Sequence, residues 1–196
     1  KPWARQGAFK WLYGGISHPA DLVRWYLPDI AEVMGYAYLS NNGRAGGLVN
    51  PDTYHFVLKA ADGRIARVTG VYSCPTVPPE RDSGMTCILR CDDGASQADY
   101  HELRYSWKIG DRAAVESFES KRDYYFRFGG VSHHAGEYQN YIEYFARCVA
   151  AGETPKPDAR EGIVTVALMQ AMDEAAETGA PVKVAAVLDR YGLKDL

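Results

Sequence analysis

No apolar run in this 196-residue chain approaches the ~20 residues that a membrane helix needs, and its first residues are aromatic and mixed rather than signal-like. A membrane role is excluded on that reading. Neither sign of charge dominates: 22 Lys and Arg stand against 25 Asp and Glu, a formal net charge of -3, and the basic residues are scattered. Binding to a phosphate backbone needs a basic face, so nucleic acid is not an expected partner. Cysteine is scarce. Cys74, Cys87, Cys91 and Cys148 form no dense disulfide pattern, which points to a cytoplasmic chain. Cys87 and Cys91 are no metal pair either: Thr86 to Cys91 reads as a strand, and four strand steps set the sulfurs about 13 Å apart. Also missing is Gly-x-Gly-x-x-Gly between a strand and a helix, the loop that seats the pyrophosphate of a dinucleotide. The nearest glycine cluster, Gly43 to Gly47, runs into the turn pair Asn50-Pro51.

What the chain does have is material for one buried core, with 46% hydrophobic and 24% charged residues, so a single domain over residues 1–196 is expected. A helix is expected from Pro19 to Leu27, stopped by Pro28-Asp29. Strands follow at Ile30 to Leu39, Thr53 to Ala60, Ile65 to Tyr72, Met85 to Cys91, His101 to Trp107 and Val115 to Ser120, with a Gly/Asn-rich loop from Asn41 to Pro51. Asp62-Gly63 is the strongest hairpin signal, because that pair accepts the positive φ of a tight two-residue turn. Asp92 to Gly94 is a second turn. The last third changes period: Tyr138, Tyr141, Ile142, Phe145, Cys148 and Val149 recur at three-and-four spacing, a helix that Gly152 can end. Another helix starts at Asp158, whose side chain can pair with Glu161 in a capping box, and stops before Gly179. The expected fold is α+β: a largely antiparallel open sheet with helices packed on one face, and an open face that needs tolerant residues or a second subunit.

Trp11 to Trp25, WLYGGISHPADLVRW, opens a helix at a histidine directly after a double glycine. Pro19 suits the first helical position, which puts His18 at the N-cap and Asp21 in the first turn. The segment resembles the His-x-x-Asp-Leu stretch that begins the C-terminal domain of the Gfo/Idh/MocA oxidoreductase family. The resemblance returns at Asp158 to Val184, DAREGIVTVALMQAMDEAAETGAPVKV, which looks like that family's closing helix and final strand. It implies the α+β architecture, a catalytic His18, association into homodimers or homotetramers through the sheet, and NAD or NADP bound by an N-terminal dinucleotide domain absent here. The missing initiating Met agrees with the C-terminal part of a longer protein. Lys1-Pro2 is not assigned the role of the family's Glu-Lys-Pro lysine, because Trp3 to Gly7 lacks the helical continuation.

One departure stands out. Many members carry an aspartate four positions before the histidine, where this chain has Gly14; Tyr13 is the adjacent hydroxyl. Alcohol oxidation needs a base for the hydroxyl proton, and a side chain that titrates near neutrality suits it, hence His18. Lys10, Trp11 and Tyr13 are candidate walls of a small-molecule pocket, with Trp11 open to a core reading as well. Asp21 is read as structural. His133 and His134 are candidate ligand-facing loop residues, with a solvated helix start as the alternative. The expected function is the substrate-binding and oligomerising domain of an NAD(P)-dependent oxidoreductase acting on a sugar, polyol or related hydroxy compound, inactive alone. A non-catalytic module of the same fold and a metal enzyme built on His18, His133, His134 and Glu137 are the competing readings.

Overall fold

The computed structural model describes residues 5–75, 84–125, 137–193 and 195. Along these the elements run α1 (Trp11–Gly14), α2 (Ser17–Tyr26), β1 (Ile30–Tyr38), α3 (Asn41–Ala45), β2 (Thr53–Ala60) and β3 (Ile65–Val71). Then come β4 (Thr86–Cys91), β5 (Gly94–Asp99), β6 (Arg104–Ile109), β7 (Arg112–Ser117), α4 (Arg122–Tyr125), α5 (Glu137–Ala151), α6 (Ala159–Thr178), β8 (Val182–Lys183) and α7 (Val184–Arg190). They form two compact units: Lys1–Cys74 with Lys156–Leu196, and Pro75–Pro155.

The first unit holds an antiparallel sheet in the order β3-β2-β1-β8. Alternation decides its faces. Tyr54, Phe56, Leu58 and Ala60 of β2 are buried while the residues between them are not, the period-two pattern of a sheet covered on one side. The cover is α6, which packs on β1, together with α2 and α7 against it. Leu12, Ile16 and Ala20 from the two leading helices meet Val33, Phe56, Leu58 and Val68 of the sheet and Leu168, Met172 and Ala175 of α6. Burial of a Leu or Phe of this kind contributes ~1.5–3 kcal/mol. The α2–α6 contact also has a polar clamp: Thr165 donates to the Asp21 carboxylate at 2.6 Å, and Arg24 donates to the Glu161 carbonyl at 2.9 Å. The opposite face is open, exposing Met34, Tyr36, Tyr38, Val57, Ile65 and Val71.

The second unit carries β4-β5-β6-β7, an antiparallel meander. Asp99, nearly buried, ties three of its strands by accepting from Thr86, Gln97 and Arg104 at 2.9–3.2 Å. Burial alone would raise that carboxyl, but the bonds from Arg104, Gln97 and Thr86 hold it below the usual range.

The antiparallel α+β reading holds, with corrections. The expected run of strands makes two sheets, because a strand's pattern marks its faces and leaves its pairing partner open. β5 was missed: Gly94, Ala95 and Ser96 carry no β-branched or aromatic signal, and ladders on both sides impose the extension. His101 to Leu103 forms a turn, and the strand begins at Arg104. Asn41 to Ala45, expected as loop, winds into a short helix capped by Ser40, whose hydroxyl accepts from Gly43 N at 2.9 Å. The Asp62-Gly63 turn is real but closes over three residues, Ala60 N bonding Arg64 O at 2.8 Å with Gly63 alone at positive φ, +92°.

Candidate functional site

The leading candidate, His18, is exposed at the second position of α2 rather than at its N-cap, which is Ile16. The reason is that α1 flows into α2. Gly15 and Ile16 both sit in the right-handed helical region, and their N–H groups bond Trp11 O at 2.7 and 3.2 Å, so no extended capping residue is needed. Pro19 is tolerated two positions further in than expected, since its missing N–H still belongs to the first turn. Asp21 accordingly lies beyond that turn and serves the clamp to Thr165. Among the described residues His18 makes no hydrogen bond or ion pair, which leaves its imidazole free to meet a ligand. Leu22 and Trp25, 38% and 75% exposed, follow it one and two turns along the same face.

The double glycine is a packing device, not a hinge. A Cβ at Gly14 would lie 2.6 Å from Phe9 Cζ and 2.8 Å from its Cε2, while one at Gly15 would overlap the Tyr72 ring. The space that a side chain at position 14 would need is therefore filled by Phe9. That ring sets its edge against Trp11 at 4.9 Å and 77°, and the Phe9 carbonyl accepts from Asn50 at 2.7 Å. Trp11 in turn stacks on Tyr72, centroids 4.5 Å apart at 4°. Trp11 packs against the core, and its indole N–H is buried without a partner among the described residues.

Lys10 and Tyr13 come together, and the residues that gather them escaped sequence reasoning. Lys10 Nζ contacts Asp173 at 2.7 and 3.0 Å and Glu177 at 3.0 Å, and the Tyr13 hydroxyl donates to Asp173 at 3.1 Å. Asp173 and Glu177 stand one turn apart on α6; the only local signal was that acidic pair, and its lysine is 163 positions away from Asp173. Burial would lower the Lys10 ammonium, but bonds to Asp173 and Glu177 outweigh it and raise it above its ordinary value. The Tyr13 phenol is pushed up to about 12, by burial first and by the Asp173 charge second. This cluster is a fixed charge arrangement beside the Phe9–Trp11–Tyr72 rings. His133 and His134 lie outside the described residues.

A second buried anchor sits behind Tyr72. The fully buried Asp52 carboxylate accepts from Ser40 N at 2.8 Å and Ser40 Oγ at 2.7 Å, and Asp52 O receives Tyr72 N at 3.0 Å. Burial opposes its ionisation, yet bonds from the Ser73 side chain and from Ser40 hold it below the carboxylate range.

The N-terminus of α6 is closed by the Asp158–Glu161 capping box, as read from the sequence, and that of α2 by its junction with α1. Among the described residues no three His, Cys, Asp or Glu side chains converge to hold a metal.

The first unit is thus an open antiparallel sheet backed by a long helix and led in by a helix that presents an exposed histidine. Residues 3–184 match the Gfo/Idh/MocA oxidoreductase family, C-terminal alpha/beta domain, and the chain belongs to that family. Its fold is similar to an oxidoreductase from Agrobacterium radiobacter in complex with NAD+, L-tartaric acid and magnesium, with a TM-score of 0.73 at 16% identity over 88% of this chain and 48% of that one. It is also similar to levoglucosan dehydrogenase in complex with NADH, TM-score 0.68 at 14% identity over 87% and 49% of the two chains. An aldose-aldose oxidoreductase from Caulobacter crescentus complexed with glycerol gives 0.65 at 14% over 85% and 45%. The chain thus spans about half the length of these proteins. No curated protein sequence matches it.

Proposed function

We propose that this chain is the substrate-binding half of an NAD(P)-dependent dehydrogenase acting on a sugar, polyol or related hydroxy compound. The observation that carries the reading is His18, exposed and unpaired within the family's domain at the head of α2. His18 takes the hydroxyl proton of the substrate as the carbonyl forms, and the nicotinamide held by the rest of the protein takes the hydride. Trp11 forms an apolar wall for C–H surface. Lys10 and Tyr13, fixed by Asp173, line the same flank. Neighbours in complex with levoglucosan, glycerol or L-tartaric acid support a polyhydroxy ligand.

The protein assembles as a homodimer or homotetramer in the cytoplasm through the open face of the first sheet, where Met34, Tyr36, Tyr38, Val57, Ile65 and Val71 form an exposed apolar strip. A non-catalytic binding module is the second reading, and Phe9 in the space that a side chain at position 14 would need is what favours it.

The test uses the full-length protein with NAD or NADP and a panel of aldoses, anhydrosugars, polyols and hydroxy acids. Reduction of the nicotinamide by at least one class is expected. Absence of turnover with every class, from protein that binds the dinucleotide, would favour the non-catalytic module.

A further inference from the structure

Three phenols of the first unit, Tyr13, Tyr54 and Tyr72, are each pushed up to about 12, with burial the largest cause, so each remains a hydrogen-bond donor at neutral pH. Two of them are used inside the protein. Tyr13 donates to Asp173 at 3.1 Å, and Tyr54 donates to the Pro51 carbonyl at 2.7 Å. Tyr72 differs. Its hydroxyl has no hydrogen-bond partner among the described residues, although the ring is partly buried against the core. The hydroxyl keeps an edge to solvent while its ring is held against the core, so its donor is open to a partner from outside the chain.

Everything around this ring fixes where the hydroxyl points. One face stacks on Trp11 at 4.5 Å. The edge presses on two glycines: a Cβ at Gly70 would lie 2.8 Å from Tyr72 Cε2 and 2.9 Å from its hydroxyl oxygen, and a Cβ at Gly15 would overlap both Cζ and that oxygen. Asp52 grips the backbone from below, taking Tyr72 N on its carbonyl at 3.0 Å and the neighbouring Ser73 hydroxyl on its carboxylate. The phenol therefore rests on Gly15, three residues before His18, a helical rise of about 4.5 Å. Beside it lies the second unsatisfied group, the Trp11 indole N–H.

We propose that Tyr72 is a substrate-binding residue of the His18 site, its hydroxyl pairing with an oxygen of a polyhydroxy ligand while the Trp11–Tyr72 stack forms the floor beneath it. The proposal rests on the dehydrogenase reading above and adds the residue that recognises a hydroxyl beside the one that reacts. No local signal marks it, since Tyr72 directly follows an ordinary strand and meets Gly15 only through the fold.

The test compares full-length wild type and Tyr72→Phe, with NAD or NADP, on D-glucose, levoglucosan, myo-inositol and glycerol, and then on deoxy analogues of whichever is turned over. Phe keeps the stack and the packing on both glycines, so the melting temperature should stay within 2 °C or so of wild type. The expected result is a rise in KM of about 3- to 30-fold with a smaller change in kcat, and loss of the discrimination that wild type shows against one deoxy analogue. Wild-type turnover with Tyr72→Phe indistinguishable from it on every sugar would overturn the assignment and leave the dehydrogenase reading standing. A wild type that binds none of the four would overturn both. Should Tyr72→Phe melt much lower than wild type, the ring's hydroxyl would be a structural group and the proposal would fall.

Discussion

Placing at position 14 the aspartate that the family resemblance implies should destabilise this protein, and the reason is steric. In Gly14→Asp the new Cβ starts 2.6 Å from Phe9 Cζ, whereas carbon atoms rest at ~3.5 Å or more, so the ring must retreat by about 0.9 Å or swing out. It is not free to do so. The Phe9 carbonyl is held by Asn50 at 2.7 Å, and the ring's edge contact with Trp11 contributes ~0.5–1.5 kcal/mol that a retreat forfeits. Overpacking of this kind costs roughly 1–3 kcal/mol, against a gain of only about 0.3 kcal/mol from replacing a helical glycine by aspartate. The net expectation is a loss of about 1–3 kcal/mol, read as a fall of ~3–10 °C in melting temperature for a chain of this length. Phe9→Ala makes the room, so Gly14→Asp should cost little or nothing in that background, and the double-mutant cycle should show a coupling of about 1 kcal/mol or more. Thermal and urea melts of the four proteins measure it. Additive effects, or a Gly14→Asp variant as stable as wild type, would refute the claim that Phe9 fills the space beside position 14.

Asp173→Asn removes the charge that gathers Lys10 and Tyr13; with those side chains 33% and 22% exposed at Lys10 and Asp173, the expected cost is about 1 kcal/mol, and a urea-melt difference near zero would mean the cluster is not a structural clamp. The carboxyl of Asp52 is held below its unfolded value, so it contributes stability that is present above the usual carboxylate range and lost as pH falls through its own lower value. Wild type should therefore lose stability on acidification more steeply than Asp52→Asn, which should already be weaker at pH 7 by ~1–3 kcal/mol; parallel pH profiles would contradict this.

Local chemistry was legible and distant assembly was not. The Asp158–Glu161 capping box could be read because its two members are three residues apart and form the same bonds in any fold that makes the helix. Strands β2 and β3 were legible because one face is buried and alternation reports that directly. β5 was not, since its extension comes from neighbours on both sides rather than from its own side chains. The same division runs through the site. His18 stood out by its position after a double glycine, but the cap assigned to it failed because α1 continues into α2, a junction set by Phe9 and Tyr72 packing on Gly14 and Gly15. Lys10 and Tyr13 were named as pocket residues without the Asp173 that holds them, because only the folded chain brings α6 to their side.

The most direct measurement of the central claim is the turnover of His18→Asn in the full-length protein on whichever hydroxy compound the wild type oxidises, followed across pH. His18 is exposed and bonds nothing in the chain, so the substitution should leave the melting temperature unchanged while the rate falls ~100- to 10,000-fold, the usual contribution of a general base. Near-normal turnover in His18→Asn at every pH would contradict the account and move the base to another residue.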